Sequence, residues 1–407
     1  VVNVIWAAWA LLILSASEAA GFSVLAHEAV VDVLWEDAMT PLIRRRFPNL
    51  TAEQLRTAHA HAYGGAIIQD LGYYPFGSRL FSNITHYVRS GDFVATMLRE
   101  AKTPDEYAFA LGAFTHYVTD THGHPEATNL VVPLLYPRLR ARFGSPIPYE
   151  KHPAAHLKVE FGFDVLQVAK GRYAPESYRD FIGFEVSKDL LERAFAETYS
   201  IEISDLFTGV DLAIGTYRWT IGGILPEITK VAWTERQKEI EGTQPGITRE
   251  RFLFQLSRAS YEREWGREYR RPGFWTRLLA ALLRIVPRIG PFAALSYRMP
   301  DADSELRFMK AFNATVADCR RLLRDGATLP DRNLDTGEPP RPGQYRMADE
   351  TYAELLEKLA GKQVPPDLRN DVLAYFAGTE PKSKKARKTL RAMRAQPRLE
   401  PEHRATQ

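Results

Sequence analysis

Apolar residues recur along this chain at spacings of three and four, the period of a helix with one buried face. They almost nowhere alternate with polar residues in the two-residue period of a half-buried strand. The pattern predicts helices over residues 24–35, 106–120, 154–170, 187–199, 249–268 and 305–324, an amphipathic helix near 351–359 and a short one near 368–376. Proline and glycine fall between them, as at Pro48, Thr103-Pro104, Pro146 and Pro148, where a helix must stop or start. The most heavily punctuated stretch, TLPDRNLDTGEPPRPGQ at 328–344, reads as a boundary. No internal repeat is found. The expected fold class is all-α, a multi-helix bundle with additional C-terminal helices.

The two ends of the chain depart from this pattern. An apolar run, VVNVIWAAWALLIL, is followed by the small-residue stretch SASEAAG, and together they read as a secretory signal over residues 1–21. The run is shorter than the ~20 residues a spanning helix needs. The expected location is therefore exported, periplasmic or extracellular. In FWTRLLAALLRIVPRIGPF, Trp275, Leu278, Leu279, Leu282, Ile285, Val286 and Ile289 share one helical side, and Arg277, Arg284 and Arg288 lie opposite. A basic amphipathic segment of this kind, near 275–289, can make peripheral contact with a membrane. Residues 381–407 are basic and poor in apolar positions, which predicts a disordered tail.

Charge and cysteine content narrow the chemistry. With 53 Lys+Arg against 50 Asp+Glu, the net charge of +3 makes no whole-chain case for nucleic-acid binding. Cys319 is the single cysteine, so neither an intrachain disulfide framework nor a thiolate-rich zinc site is available. A metal here must sit on nitrogen and oxygen. Histidine supplies the nitrogen: nine of the ten, His27, His59, His61, His86, His116, His122, His124, His152 and His156, lie in the first 156 residues. His116 with Asp120 and His156 with Glu160 each form a His-x-x-x-acid pair. That spacing puts both side chains on one helical face, a turn apart, within reach of one ion. Taken singly, such a pair is an ordinary ion pair; two of them flanking His122 and His124 make a stronger case for metal.

The ordered set His27, Asp70, His86, His116-x-x-x-Asp120, His124, His156-x-x-x-Glu160 resembles the zinc-dependent phospholipase C family, which shares a helical fold and a three-zinc cluster with the single-strand-specific zinc nucleases. The resemblance implies one zinc on Asp70, His86, His116 and Asp120, and a second on His124, His156 and Glu160. It places a third on His27, a bridging oxygen of Asp120, and the amine and carbonyl of Phe22 as the mature N-terminal residue. Asp70 is also the catalytic candidate, as general base on the attacking water. Glu160 is the phospholipase choice, whereas Phe22 stands at the nuclease-like spacing from His27. Three residues separate Asp120 from His124 where better known members have five, so His122 competes for the second zinc. His124 is preferred because Gly123 and Pro125 end the helix there.

The implied organisation is a signal peptide at 1–21, a catalytic domain at 22–240, a helical extension with the amphipathic segment at 241–345, short helices at 346–380 and the basic tail at 381–407. Tyr73, Tyr74, Phe76 and Phe81 follow Asp70 and read either as core or as a wall for an acyl chain, a head group or a base. The expected activity is zinc-dependent hydrolysis of a phosphodiester, phospholipase C-type cleavage of a phospholipid by a metal-activated water. A nuclease or nucleotidase on the same cluster is the alternative, and only it calls for a nucleic-acid partner. A non-catalytic zinc-containing envelope binding protein is the third reading.

Overall fold

The computed structural model describes residues 24–169, 185–220, 238–239, 241–242, 297–326 and 328–396. Phe22, the signal-like residues 1–21, the helix expected at 249–268 and the amphipathic segment at 275–289 lie outside them. Among the described residues all regular structure is helical, and the protein is all-α. Helices α1 (Val24–Leu34), α2 (Thr40–Arg46), α3 (Ala52–Gly65), α4 (Arg79–Tyr87), α5 (Ser90–Glu100) and α6 (Pro104–Gly123) come first. Next are α7 (Asn129–Leu135), α8 (Pro137–Phe143), α9 (Pro153–Ala169), α10 (Lys188–Tyr199) and α11 (Val210–Trp219). In the C-terminal portion lie α12 (Ala302–Asp325), α13 (Arg346–Lys358), α14 (Pro366–Tyr375) and α15 (Lys384–Ala395). None of the described helices is long and apolar enough to cross a membrane.

Local chemistry starts these helices where they start. Thr51 and Gln54 form a reciprocal cap on α3: the Thr51 hydroxyl accepts from the Gln54 amide at 3.2 Å and the Gln54 side chain accepts from the Thr51 amide at 2.9 Å. Thr103 caps α6 by accepting from the Glu106 amide at 3.1 Å, with Pro104 in the first turn, where a missing N–H costs nothing. Asp301 caps α12 in the same manner, at 2.9 Å from the Ser304 amide.

Helix α6 is the axis of the molecule. It is buried from Ala108 to Asp120, so no face is left for water, and α3, α5 and α12 pack around it. The α3–α6 crossing is possible only because it is built on glycine. A Cβ on Gly112 would sit 2.0 Å from the Ala62 carbonyl oxygen, and one on Gly65 would sit 1.9 Å from that of Phe109. Both obstacles are backbone, which cannot turn aside.

The C-terminal helices share this core, a single cluster among the described residues that includes Leu25 at one end of the sequence and Met393 at the other. Phe308 of α12 stacks on Phe163 of α9 at 4.5 Å. The 328–344 stretch, expected as a boundary, is instead fastened across the bundle. The Leu334 amide donates to the His86 carbonyl at 3.1 Å, and Asp331 Oδ1 accepts from the Gly91 and Asp92 amides, each at 3.0 Å. Its prolines and glycines shape a strap, not a hinge. The expectation of a disordered tail at 381–407 needs correction over its described part, because Lys384–Ala395 is helical, while 397–407 lie outside the described residues. Ala386, Leu390 and Met393, at spacings of four and three, are buried beneath the basic residues, and the Met393 carbonyl accepts from Arg369 at 3.0 Å. Charge density hid a narrow apolar stripe.

Candidate metal centre

The centre gathers side chains from six elements. His27 comes from α1, Asp70 from the 3-10 turn Ile68–Tyr73, His86 from α4, and His116 and Asp120 from α6. His124 opens a π-helical turn, His124–Thr128, and His156 and Glu160 come from α9. Their ligand-type atoms form three groups, each within 4.8 Å: His27, His116 and Asp120; Asp70, His86 and His116; His124, His156 and Glu160. Every one of these residues is buried.

Asp120 is the hub. Its Oδ1 lies 3.4 Å from His27 Nε2, while its Oδ2 lies 3.4 Å from His86 Nε2, 3.2 Å from His116 Nε2 and 3.8 Å from His124 Nε2. One oxygen thus faces one histidine set and the second faces another, the arrangement a bridging carboxylate requires. Neither oxygen receives a well-directed hydrogen bond, although both are shut away from water. Asp70 Oδ1, 3.3 Å from His86 Nε2, and Glu160 Oε1 are in the same condition. Buried carboxylates without donors are costly unless a cation compensates them.

The histidines are oriented for the same purpose. His86 Nδ1 donates to the Ser82 carbonyl at 2.7 Å and His116 Nδ1 to the Ala66 carbonyl at 2.9 Å, which aims each Nε2 at the carboxylates. His156 is turned the other way: its Nε2 donates to the Ile147 carbonyl at 2.7 Å, and Nδ1 has no hydrogen-bond partner. A backbone carbonyl can only accept, so in all three that nitrogen carries a proton and the other is the one that would bind metal. Nitrogen and carboxylate oxygen in groups of three or more, with no thiolate, suit zinc. The residues present fit it.

Electrostatics point the same way. Burial and neighbouring His116 push His27 down to about 3, and burial with His124 takes His156 down to about 3, so both are neutral and ready to bind metal. Burial opposes charge on His86 as well, yet Asp120 and Asp70 prevail and carry it up to about 10. Burial also works against the Asp120 charge, but His116 and His124 hold its carboxyl well below the usual range. Glu160, buried near Asp120 and Asp70, is pushed well above that range. Divalent ions would relieve this crowding of negative charge.

The two competitors for the second zinc are far apart in environment. His124 is fully buried and grouped with His156 and Glu160. His122 faces outward, its ring nitrogens 2.6 Å from Glu126 Oε1 and 3.2 Å from Asp318 Oδ2. The helix does not break at Gly123 as expected. It widens into the π-helical turn, which keeps His116, Asp120 and His124 on one face in steps of four.

Other sequence candidates resolve into distinct roles. His59 sits between the Trp35 ring, 4.0 Å away, and Asp32 Oδ1 at 3.1 Å. His61 Nδ1 lies 3.0 Å from the Ser187 hydroxyl, and His152 Nδ1 accepts from the Ala155 amide at 3.1 Å as a cap on α9. Of the aromatic residues after Asp70, Phe81 is core and Tyr74 packs on Tyr217 at 5.0 Å. Tyr73 borders the centre 6.2 Å from the His86 ring, and Phe76 is exposed with a left-handed φ of 63°. Three residues escaped the sequence reading: Tyr149, edge-on to His156 at 5.8 Å; Asp164, which accepts from the Leu25 amide at 3.2 Å; and Asp335, beside His124. Asp164 extends the His156, Glu160 series by one more step of four, a signal available in the sequence. Asp335 carried no such signal. A cleft of ≈ 400 Å³ lined by Pro342, Arg346, Ala353 and Phe376 includes none of the ligand candidates.

The described residues thus define a helical protein with a buried histidine–carboxylate centre. The family model of zinc dependent phospholipase C matches residues 27–209, from the first histidine of the centre to the end of the turn before α11. Over that segment, a little under half of its length, the chain is similar to this family, and the match and the ligand groups together support a zinc hydrolase. No curated protein and no solved structure gives a significant match.

Proposed function

We propose that this chain is an exported phospholipase C-type hydrolase with three zinc ions. In this reading Asp70, His86, His116 and Asp120 hold one ion, His124, His156 and Glu160 a second, and His27 with Asp120 a third, completed by Phe22. The observation that carries it is Asp120, whose two oxygens face different histidines, Oδ1 His27 and Oδ2 His86 and His116, and accept no hydrogen bond from them. Zinc, when bound, supplies an acidified water and positive charge for the non-bridging oxygens of a phosphodiester.

The chain's own residues supply the rest. Burial raises the Asp70 carboxyl above its ordinary range, and its Oδ1 is free of hydrogen bonds, so it can take the proton of the attacking water. The neighbouring Tyr73 hydroxyl is buried without a hydrogen-bond partner, and burial holds it protonated, which leaves it a donor for a phosphate oxygen. Tyr73 and Tyr149, with ring centres 6.4 Å apart, form an aromatic wall beside His86 and His156. Such a wall accommodates a choline-type head group through its ring faces. Exposed Phe76, three residues after Tyr73, fits an acyl chain.

The test is a substrate panel run on the full, zinc-loaded chain: phosphatidylcholine vesicles, single-stranded DNA and a 3'-nucleotide. Release of phosphocholine with diacylglycerol is the expected result. Hydrolysis of the nucleic-acid substrates alone would move the assignment to a nuclease on the same cluster. Three bound zincs without turnover of any phosphate ester would make the centre structural.

A further inference from the structure

Each histidine of a zinc centre needs its second ring nitrogen held, since that hydrogen bond fixes the tautomer and aims the ligating nitrogen. In His86, His116 and His156 a backbone carbonyl from within the family-matched segment does this. His124 is different. Both of its ring nitrogens are buried and neither has a hydrogen-bond partner; Nε2 lies 3.8 Å from Asp120 Oδ2, and Nδ1 lies 3.7 Å from Asp335 Oδ1.

Asp335 is a fixed carboxylate. Its Oδ2 accepts the Tyr87 hydroxyl at 2.8 Å and the Tyr345 hydroxyl, while its backbone is held by Asn129 Nδ2 on its carbonyl at 2.8 Å and by Asn333 Oδ1 on its amide at 3.0 Å. Its Oδ1 is buried and accepts nothing. Asp335 does not join the His124, His156, Glu160 group, so it stands behind His124 and not among the prospective ligands.

We propose that Asp335 is the positioning residue of the second zinc site, accepting the Nδ1 proton of His124 so that Nε2 binds the metal. The inference rests on the zinc reading above. It gives the strap at 328–344, which lies beyond the family-matched residues, a role at the metal centre: the strap places behind one ligand the acceptor that the backbone provides for His86, His116 and His156. A carboxylate in that position also makes the imidazole a stronger donor to metal than a carbonyl does.

Zinc per chain is measured on the full protein while a chromophoric chelator competes for it, together with the visible spectrum of the cobalt-substituted form. Asp335→Asn is expected to weaken one of the three ions about 10–100-fold, leave the other two in place, and shift one cobalt band. Tyr345→Phe, which keeps the carboxylate and removes one of its donors, should weaken the same ion by less, and it carries the test if Asp335→Asn does not fold. Unchanged affinity in the folded variants, or equal loss of all three ions, overturns the proposal while leaving the zinc reading intact. A wild-type chain that binds no zinc overturns both.

Discussion

Asp120 concentrates the demands of the centre in one side chain. Asparagine would keep its shape and lose the charge that holds two cations together, so Asp120→Asn should remove more metal than any other single change. Elemental analysis is the check, and three retained zincs would contradict the bridging role. The neighbouring histidines give a second comparison. His124→Ala is expected to lose one zinc and nearly all activity, while His122→Ala, at the surface with Glu126 and Asp318, should alter activity at most modestly. At this scale the sequence was largely legible: His116, Asp120, His156 and Glu160 stood out because a step of four on a helix is a statement about direction. His122 and His124 could not be separated by spacing alone, because both follow Asp120 within one turn. Only their opposite burial distinguishes them.

Between elements, backbone contact and capping decide stability. Gly112→Ala would drive a methyl into the Ala62 carbonyl at the α3–α6 crossing, and destabilisation of about 1–3 kcal/mol or more is expected from thermal unfolding. An unchanged melting temperature would mean the helices separate easily. Asp331 offers a pH test. Burial and nearby Asp92 raise its carboxyl to about 6, although it caps α5 through the Gly91 and Asp92 amides. Its unfolded value is ~3.9, so between about pH 4 and 6 the folded chain binds the extra proton, and stability from this group falls as pH rises through that window. Asp331→Asn keeps an accepting oxygen and has no charge to bury. It should therefore be more stable than wild type at pH 7 by about 1–2 kcal/mol, with the advantage gone near pH 4. Equal gains at both pH values would show that the charge is not the cause.

For the whole molecule, the metal centre lies inside one continuous core, so emptying it should be felt globally. Dialysis against a chelator is expected to lower the unfolding free energy by about 3–4 kcal/mol for each ion removed, relative to protein in free zinc at roughly 100–1,000 times the dissociation constant, with recovery when zinc returns. A melting curve indifferent to zinc would place the ions outside the folded core. The all-α class and most helix positions were determined by the sequence, because a buried stripe of period 3.6 is a local property of the chain. The nitrogen and oxygen chemistry of the centre followed equally from composition, since Cys319 is the only thiol. The strap and the last helix were decided by tertiary structure. In 328–344 the prolines and glycines announce irregular backbone, but nothing in them states whether that backbone separates two bodies or closes over one. Leu334 pairing with His86, Asp331 capping α5 and Asp335 standing behind His124 all join residues remote in sequence. Such contacts leave no local period to read, because they depend on where the rest of the chain has already placed its donors.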